Sequence, residues 1–214
     1  MAQRAVLPEV VRGKWYPMTW EEFLDWTSGE GQTEWVDGEG IAYVSNSVRH
    51  ERLLQFLNYL LQSLLRPRNL GEVFTSTTIL RLPSRPSGRM PDLFVILAEH
   101  RDRIHEQWVE GPADFATEII SDESVERDLE VKLREFDDSG LPEYLALDGR
   151  VGKSLFRWYG RHADGALRLI APDERGRYHS TVIPGFWLDP SWFTQDPLPN
   201  VFDVLRIMEQ DANS

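Results

Sequence analysis

The run Pro91-Asp92-Leu93-Phe94-Val95-Ile96-Leu97 precedes a second apolar run, Phe115-Ala116-Thr117-Glu118-Ile119-Ile120. Continuously apolar runs of this length are typical of strands that are covered on both faces of a sheet. Each run carries one carboxylate, Asp92 at the head of the first and Glu118 within the second. A carboxylate in an apolar strand is costly unless it is paired, hydrogen-bonded or bound to a metal ion. The two runs therefore predict the centre of a sheet and, beside it, a candidate site.

An amphipathic helix is predicted before these strands. Seven leucines between residues 53 and 65 fall on one stripe at a periodicity of about 3.6 residues. The tripeptide Ser45-Asn46-Ser47 supplies residues that can cap the start of this helix, and Pro67 ends it. The alternating run from Glu72 to Arg81 then predicts the first strand of the sheet.

A second helix and a closing strand are predicted after the apolar runs. The helix extends from about Ser124 to Asp137, and Ser139-Gly140 stops it. Pro142 then opens a strand from Glu143 to Leu147. Residues 47–148 therefore read αβββαβ, which predicts an α/β (α+β) fold with a mixed sheet packed against helices.

Shorter elements are predicted on both sides of this core. Thr19 and Glu22 form a capping box that starts a short helix. Two short strands, Thr33 to Val36 and Ile41 to Val44, flank an Asp37-Gly38 turn. Beyond Gly149 the pattern predicts three strands of a meander and a closing helix: Ser154 to Tyr159, Leu167 to Ile170, Tyr178 to Val182 and Val201 to Gln210.

The chain shows no linker, repeat or low-complexity tract between these parts. We therefore interpret residues 1–214 as a single domain. Its core is expected at 47–148, its N-terminal helix and hairpin at 17–46, and a C-terminal β/α extension at 149–214.

The composition limits the class of protein and the kinds of site. The 214 residues carry a formal net charge of −12 and include no cysteine. The absence of cysteine excludes disulfides, thiol nucleophiles, thiolate zinc sites and iron–sulfur clusters. No secretory signal is predicted, and the leucine-rich helix is too short and too polar to span a bilayer. A cytoplasmic location without a membrane partner is therefore expected.

The distribution of charge leaves a nucleic-acid partner open. Phosphate binding usually requires a basic surface, which the net charge of −12 does not favour. Between residues 49 and 103, however, nine arginines stand against five acidic residues. Arg81, Arg85 and Arg89 belong to this segment and are candidate DNA contacts.

Lys132 stands out on the predicted second helix. At about 100° per residue, it falls beside the apolar residues Leu129, Leu133 and Phe136. A lysine whose stem lies along the sheet edge would explain this position. An ammonium held against carboxylates or a substrate phosphate would explain it equally well. Asp128, one turn earlier on the same side, is either a surface partner or an acid that orients the lysine. The wheel turns three other charged residues away: Arg127, Glu130 and Arg134.

The two strand carboxylates also allow two interpretations. Taken singly, Asp92 and Glu118 are each explained by a salt bridge to an arginine. On adjacent strands and near Lys132, they form a candidate catalytic group. A different motif, Gly152-Lys153-Ser154, resembles the end of a phosphate-binding loop, but Leu147 stands where that loop requires glycine.

Short motifs occur in order along much of the chain: Thr19 to Phe23, Glu34-Trp35-Val36-Asp37-Gly38-Glu39, Ser47-Val48-Arg49-His50, Pro91-Asp92-Leu93, Thr117-Glu118-Ile119-Ile120-Ser121, Arg127-Asp128 with Lys132, Gly140-Leu141-Pro142-Glu143-Tyr144, and Tyr178 with Ile183-Pro184-Gly185-Phe186-Trp187-Leu188. Together they resemble the Uma2 family, formerly a domain of unknown function. The resemblance implies the PD-(D/E)XK restriction-endonuclease-like fold. The ordered set is specific, although each motif alone is weak.

The resemblance also implies a metal site. Asp92 and Glu118 would bind Mg²⁺ or Mn²⁺, with the backbone carbonyl of Ile119 as a further ligand. The general nuclease pattern places its lysine two residues after the glutamate, where Ile120 stands. The resemblance instead implies that Lys132 on the following helix supplies the amine.

Two further polar residues match family positions near the same cleft. His50 is either a participant or a helix-end hydrogen bonder. Glu34 is either a participant or a residue that stabilises the hairpin. The function implied by the resemblance is a metal-dependent endonuclease that hydrolyses phosphodiester bonds in DNA, working as a homodimer. An inactive binding or regulatory module on the same fold, or a hydrolase of smaller phosphoesters, are the alternatives.

Overall fold

The computed structural model describes residues 12–27, 32–43, 46–82 and 85–212. Within these ranges the chain forms fourteen strands: β1 (Trp15–Pro17), β2 (Thr33–Val36), β3 (Glu39–Ala42), β4 (Gly71–Thr75), β5 (Ile79–Leu82), β6 (Ser87–Arg89), β7 (Leu93–Leu97), β8 (Trp108–Glu110), β9 (Phe115–Ile120), β10 (Glu143–Asp148), β11 (Phe156–Arg161), β12 (Leu167–Leu169), β13 (Tyr178–His179) and β14 (Trp187–Leu188). The α-helices are α1 (Trp20–Thr27), α2 (Val48–Leu65), α3 (Lys132–Ser139) and α4 (Val201–Ala212). A π-helical turn, Arg127–Val131, leads directly into α3.

The main sheet is mixed, and the two apolar runs lie at its centre. Its strands follow the order β12-β11-β10-β9-β7-β4, with β9 and β10 parallel and the other pairs antiparallel. The runs Leu93–Leu97 and Phe115–Ile120 form β7 and β9, as the sequence predicts. The predicted α/β (α+β) class with a mixed sheet is confirmed.

Side chains alternate between two apolar layers, one on each face of the main sheet. Leu93 and Val95 of β7 share one apolar cluster with the buried leucines of α2. Phe94 and Ile96 share a second cluster with Phe136 of α3. Because burial of one leucine contributes about 1.5–3 kcal/mol relative to exposure, the leucine stripe of α2 is a principal source of stability.

The predicted caps of the first two helices are confirmed. The backbone N–H of Glu22 donates to Thr19 Oγ1, and the N–H of Thr19 donates back to the Glu22 carboxylate. The N–H of His50 donates to Ser47 Oγ, so Ser47 caps α2. Ser45, the other serine proposed for this cap, lies outside the described residues.

A second six-stranded sheet, with the order β1-β3-β2-β6-β5-β8, packs beside the first. Its hairpin turns at Asp37 and Gly38, which both have positive φ, as in the predicted two-residue turn. The second hairpin strand is Glu39–Ala42 rather than Ile41 to Val44. Val44 lies outside the described residues.

The prediction of one continuous strand from Glu72 to Arg81 is wrong. A turn closed by Thr78 N–H and Thr75 C=O divides it into β4, which joins the main sheet, and β5, which joins the second sheet. The strands β6 and β8 were not predicted, since three residues give too little pattern to recognise.

The C-terminal segment extends the main sheet through β11 and β12. The third predicted strand of the meander is reduced to β13, which pairs with β14 instead. Helix α4 covers the predicted closing helix, and its Val204 and Met208 join the apolar cluster of α2. No helix in the described part of the chain is long and apolar enough to cross a bilayer.

Candidate active site

A cleft of 620 Å³ brings the two strand carboxylates together. Asp92 directly precedes β7, and Glu118 lies in β9, which pairs with β7 through Leu93 and Thr117. Both acids line the cleft, and each is only 3% exposed. The convergence predicted for Asp92 and Glu118 is therefore present in the fold.

Asp92 is held through one of its two carboxylate oxygens. Oδ2 accepts the Ile119 backbone N–H at 2.7 Å and lies 3.0 Å from His50 Nε2. A carboxylate can only accept in such a pair, so the ring proton belongs on Nε2. Oδ1 of Asp92 makes no hydrogen bond within the described residues. Two donors thus fix the carboxylate and leave one oxygen uncommitted.

Lys132 lies behind Glu118 and not in the lining of the cleft. Its Nζ donates to Glu118 Oε1 at 2.7 Å, and it lies 2.8 Å from Glu34 Oε1 and 3.8 Å from Asp128 Oδ1. Burial lowers the pKa of Lys132, but the surrounding carboxylates outweigh burial and raise it above its ordinary value. The side chain therefore remains an ammonium and is unsuited to act as a general base.

The carboxylates around Lys132 differ in how far the lysine lowers their pKa. Burial raises the pKa of Glu118, and Lys132 only partly offsets the effect of burial and of the nearby Asp128 and Asp92. Burial also raises the pKa of Asp128. Burial and the neighbouring carboxylates thus favour the protonated forms of Glu118 and Asp128, and an added cation would favour their ionised forms.

Glu34 joins the lysine to a second buried ion group. Its Oε2 accepts from Arg89 Nη1 at 2.7 Å, and Arg89 donates two further hydrogen bonds to Glu135 of α3. Burial raises the pKa of Glu34, but Lys132 and Arg89 outweigh burial and lower it well below its ordinary value. Glu34 is thus a permanent anion at the contact between the second sheet and α3.

The interpretation of Arg89 as a DNA contact is wrong for this structure. Its side chain is 3% exposed, and its guanidinium is taken up by Glu34 and Glu135. Arg81 in β5 and Arg85 in the turn before β6 are accessible, but both lie outside the cleft lining. Arg81 stacks over Trp20 with 5.0 Å to the ring centroid, and Arg85 pairs with Asp37 and Glu135.

A model of the Uma2 family, described as "Putative restriction endonuclease", matches residues 20–191 of the chain. The chain belongs to the Uma2 family. Among solved structures, the Uma2 chain is similar to one titled a "putative nuclease belonging to DUF820" from Anabaena variabilis. The two share 15% sequence identity at a TM-score of 0.65, over 83% of this chain and 98% of the other. A comparison with curated proteins found no match.

Three basic residues that the sequence analysis did not propose line the cleft of this Uma2 protein: Arg127, Arg150 and Lys153. Arg127 stacks over the Tyr43 ring at 4.5 Å, although the helical wheel turned it outward. The π-helical turn explains the error, because it winds the chain more widely than the wheel assumes. For Lys153, the signal was the partial phosphate-loop motif.

The donor set of the Uma2 cleft fits a hard divalent cation. Asp92 Oδ1 and Glu118 Oε2 are carboxylate oxygens without a hydrogen bond in the described residues. No three His, Asp or Glu side chains of that part form a closed ligand set. Mg²⁺ is commonly held by one or two carboxylates together with water and substrate phosphate, so two free oxygens suffice. The Ile119 N–H is committed to Asp92, and a role for its carbonyl stays a prediction.

Proposed function

We propose that this Uma2 protein is a metal-dependent endonuclease that hydrolyses phosphodiester bonds in DNA. The observation that carries the proposal is the pair of uncommitted carboxylate oxygens of Asp92 and Glu118 in one cleft, with the Lys132 ammonium directly behind. Membership of a family described as "Putative restriction endonuclease" supports a nucleic-acid substrate.

Asp92 and Glu118 would hold a Mg²⁺ or Mn²⁺ ion. Such an ion polarises a phosphoryl oxygen and lowers the pKa of an attacking water. Hydrolysis breaks one P–O bond, transfers the water oxygen to phosphorus, and leaves a phosphate monoester and a hydroxyl end. The water protons pass to the leaving oxygen and to solvent.

The other residues act by holding the two acids in position. His50 and the Ile119 N–H bind Oδ2 of Asp92 and leave Oδ1 without a hydrogen bond in the described residues. Lys132 binds Oε1 of Glu118 and favours its ionised form, which offsets part of the cost of burial. In this arrangement Lys132 is a positioning residue that acts through Glu118, and Glu34 holds Lys132 from the opposite side.

A cleavage assay tests the proposal. Supercoiled plasmid and single-stranded DNA are incubated with the wild type and either Mg²⁺ or Mn²⁺. We expect cleavage that EDTA abolishes, and a loss of about 100-fold or more in Asp92→Asn and Glu118→Gln. Asp122→Asn is the matched control, because Asp122 lines the same cleft but is highly exposed. Thermal unfolding verifies that each variant is folded.

Three other outcomes would contradict the proposal, each in a different way. Cleavage that survives both substitutions places the chemistry elsewhere. Wild-type binding of DNA without cleavage in either metal favours the inactive binding module. Turnover of small phosphodiesters without cleavage of DNA favours the smaller-phosphoester hydrolase.

We further propose that the protein works as a cytoplasmic homodimer. The support for the dimer is analogy with other enzymes of this fold, which commonly work as homodimers. Sedimentation velocity at micromolar concentration tests it, and a single monomeric species would contradict it.

A further inference from the structure

A second and larger cavity adjoins the acidic cleft. It has a volume of 1430 Å³ and is walled by the first turns of α2, the turn at 151–154 and the segment 194–201. Four residues line both the cavity and the cleft, and we call them the junction: Asn46, Ser47, Val151 and Lys153. The two spaces therefore meet, and a chain-like ligand can occupy both.

The charge of the lining changes across the junction. In the cleft, three basic residues face five carboxylates, which gives a balance of −2 with His50 neutral. In the larger cavity, Arg49, Arg52 and Lys153 face Glu51 and Asp196, which gives +1. The cavity lining thus carries one excess positive charge, which Lys153 supplies, in a chain of net charge −12. Such a surface attracts phosphates that do not require a metal ion.

Lys153 is the junction cation with an uncommitted head group. In the described residues no carboxylate lies within 4.0 Å of its ammonium, and its side chain is exposed. The neighbouring cations are occupied: Arg150 by Asp148, Arg127 by Asp128 and Arg52 by Asp196. Its backbone N–H closes a turn onto Arg150 C=O, with Gly152 at a φ of 74°. This turn places Lys153 between the acidic cleft and the larger cavity.

The depth of the acids argues for a flexible strand. Asp92 and Glu118 are each 3% exposed, so a phosphate must descend into the cleft to reach them. Bending a duplex site by 40–90° costs about 1–6 kcal/mol, whereas a single strand bends without that cost. The cavity volume exceeds the roughly 300–1,000 Å³ of typical small-molecule pockets, which suits a polymer segment.

We propose that the larger cavity binds single-stranded DNA on one side of the scissile phosphate, and that Lys153 contacts a backbone phosphate at the junction. The inference rests on the proposed nuclease function and adds its substrate class. One wall, the segment 194–201, lies beyond the family match at 20–191. The subsite is therefore built partly outside the segment that defines the family.

Equilibrium binding in EDTA tests the subsite without any need for turnover. Fluorescence anisotropy compares a labelled single strand of about 12 nucleotides with the duplex of the same sequence. We expect the single strand to bind at least about tenfold more tightly. Lys153→Ala should weaken its binding about fivefold and reduce the salt slope by about 0.7, the value for one phosphate contact on a single strand. Lys153→Glu should weaken binding further.

Lys14→Ala is the matched control, because Lys14 is the other exposed lysine of the described residues and lines neither space. Equal binding by the Lys153 and Lys14 variants, equal affinity for duplex and single strand, or no binding of the single strand would each overturn the inference. Cleavage that does not depend on Lys153 refutes only the subsite. Lys153-dependent binding without cleavage refutes only the proposed nuclease.

Discussion

Lys132 Nζ donates a hydrogen bond to Glu118 Oε1 over 2.7 Å, and the two side chains are 2% and 4% exposed. A buried pair of this kind gives little net stability, because desolvation opposes the attraction between the charges. Removal of one partner of the pair is costly, since the remaining charge stays buried without a partner.

We therefore expect Lys132→Met to lower the free energy of unfolding by about 3–5 kcal/mol, because Glu34 and Glu118 lose their shared cation. Urea denaturation measures the change. Lys153→Met is the control, and its effect should stay within about 0.5 kcal/mol because Lys153 is exposed. Equal destabilisation by both variants would show that the buried cluster is not coupled to folding.

His50 should govern metal binding through its contact with Asp92. We expect His50→Ala to weaken Mn²⁺ binding about 10–100-fold, the usual effect of removing a group that orients a metal ligand. His50→Gln keeps an N–H donor of similar reach and should restore most of the affinity. Isothermal titration calorimetry gives both constants without reference to activity. Unchanged affinity in His50→Ala would exclude this role.

Substitution of the buried Arg89 should lower the free energy of unfolding more than substitution of the half-exposed Arg85. Arg89→Met leaves Glu34 and Glu135 without their common partner, so a loss of about 3–5 kcal/mol in unfolding free energy is expected. Arg85→Met removes a side chain that is 42% exposed, and Glu135 keeps its closer contact with Arg89, so the cost should be about 1 kcal/mol or less. Thermal and urea unfolding provide the comparison. A larger effect for Arg85→Met would contradict the assignment.

Glu143 should make stability depend on pH. It accepts hydrogen bonds from Ser180 and Thr181, but burial outweighs them and raises its pKa above 4.5. The folded state then binds a proton that the unfolded state has released. Stability is therefore lost as pH rises from about 4.5 through the raised pKa.

The unfolding free energy of the wild type, minus that of Glu143→Gln, should fall across this window and then level off. The fall should be about 1.4 kcal/mol for each unit by which folding raises the pKa. Urea denaturation at a series of pH values measures it. A difference that rises with pH would mean that the folded state favours the carboxylate.

The centre of the fold was predictable because its signals are local. The runs that form β7 and β9 are apolar without interruption, and their carboxylates stand out for the same reason. Lys132 was found by its place on the helical wheel, and it does lie in the interior beside Glu118. Each of these signals is contained within one helix or one strand.

The remainder depends on partners that are distant in the chain. Arg89 meets Glu34 across 55 positions and Glu135 across 46, and nothing near Arg89 in the sequence announces either contact. The larger cavity is lined by three segments of the chain. About a hundred positions separate the first from the second, and about forty separate the second from the third. A burial pattern taken from residues that are neighbours in sequence cannot predict such long-range contacts.

The wide turn before α3 makes the active cleft sensitive to chain length as well as to residue type. The Lys132 N–H bonds to Arg127 C=O, five residues back, where an ordinary α-helix would reach four. The turn holds one residue more than a regular helical turn, so excision of one residue would close an ordinary turn there. Asp128 and Lys132 would then be three residues apart instead of four, so a single-codon deletion would alter their 3.8 Å approach while both residues are retained.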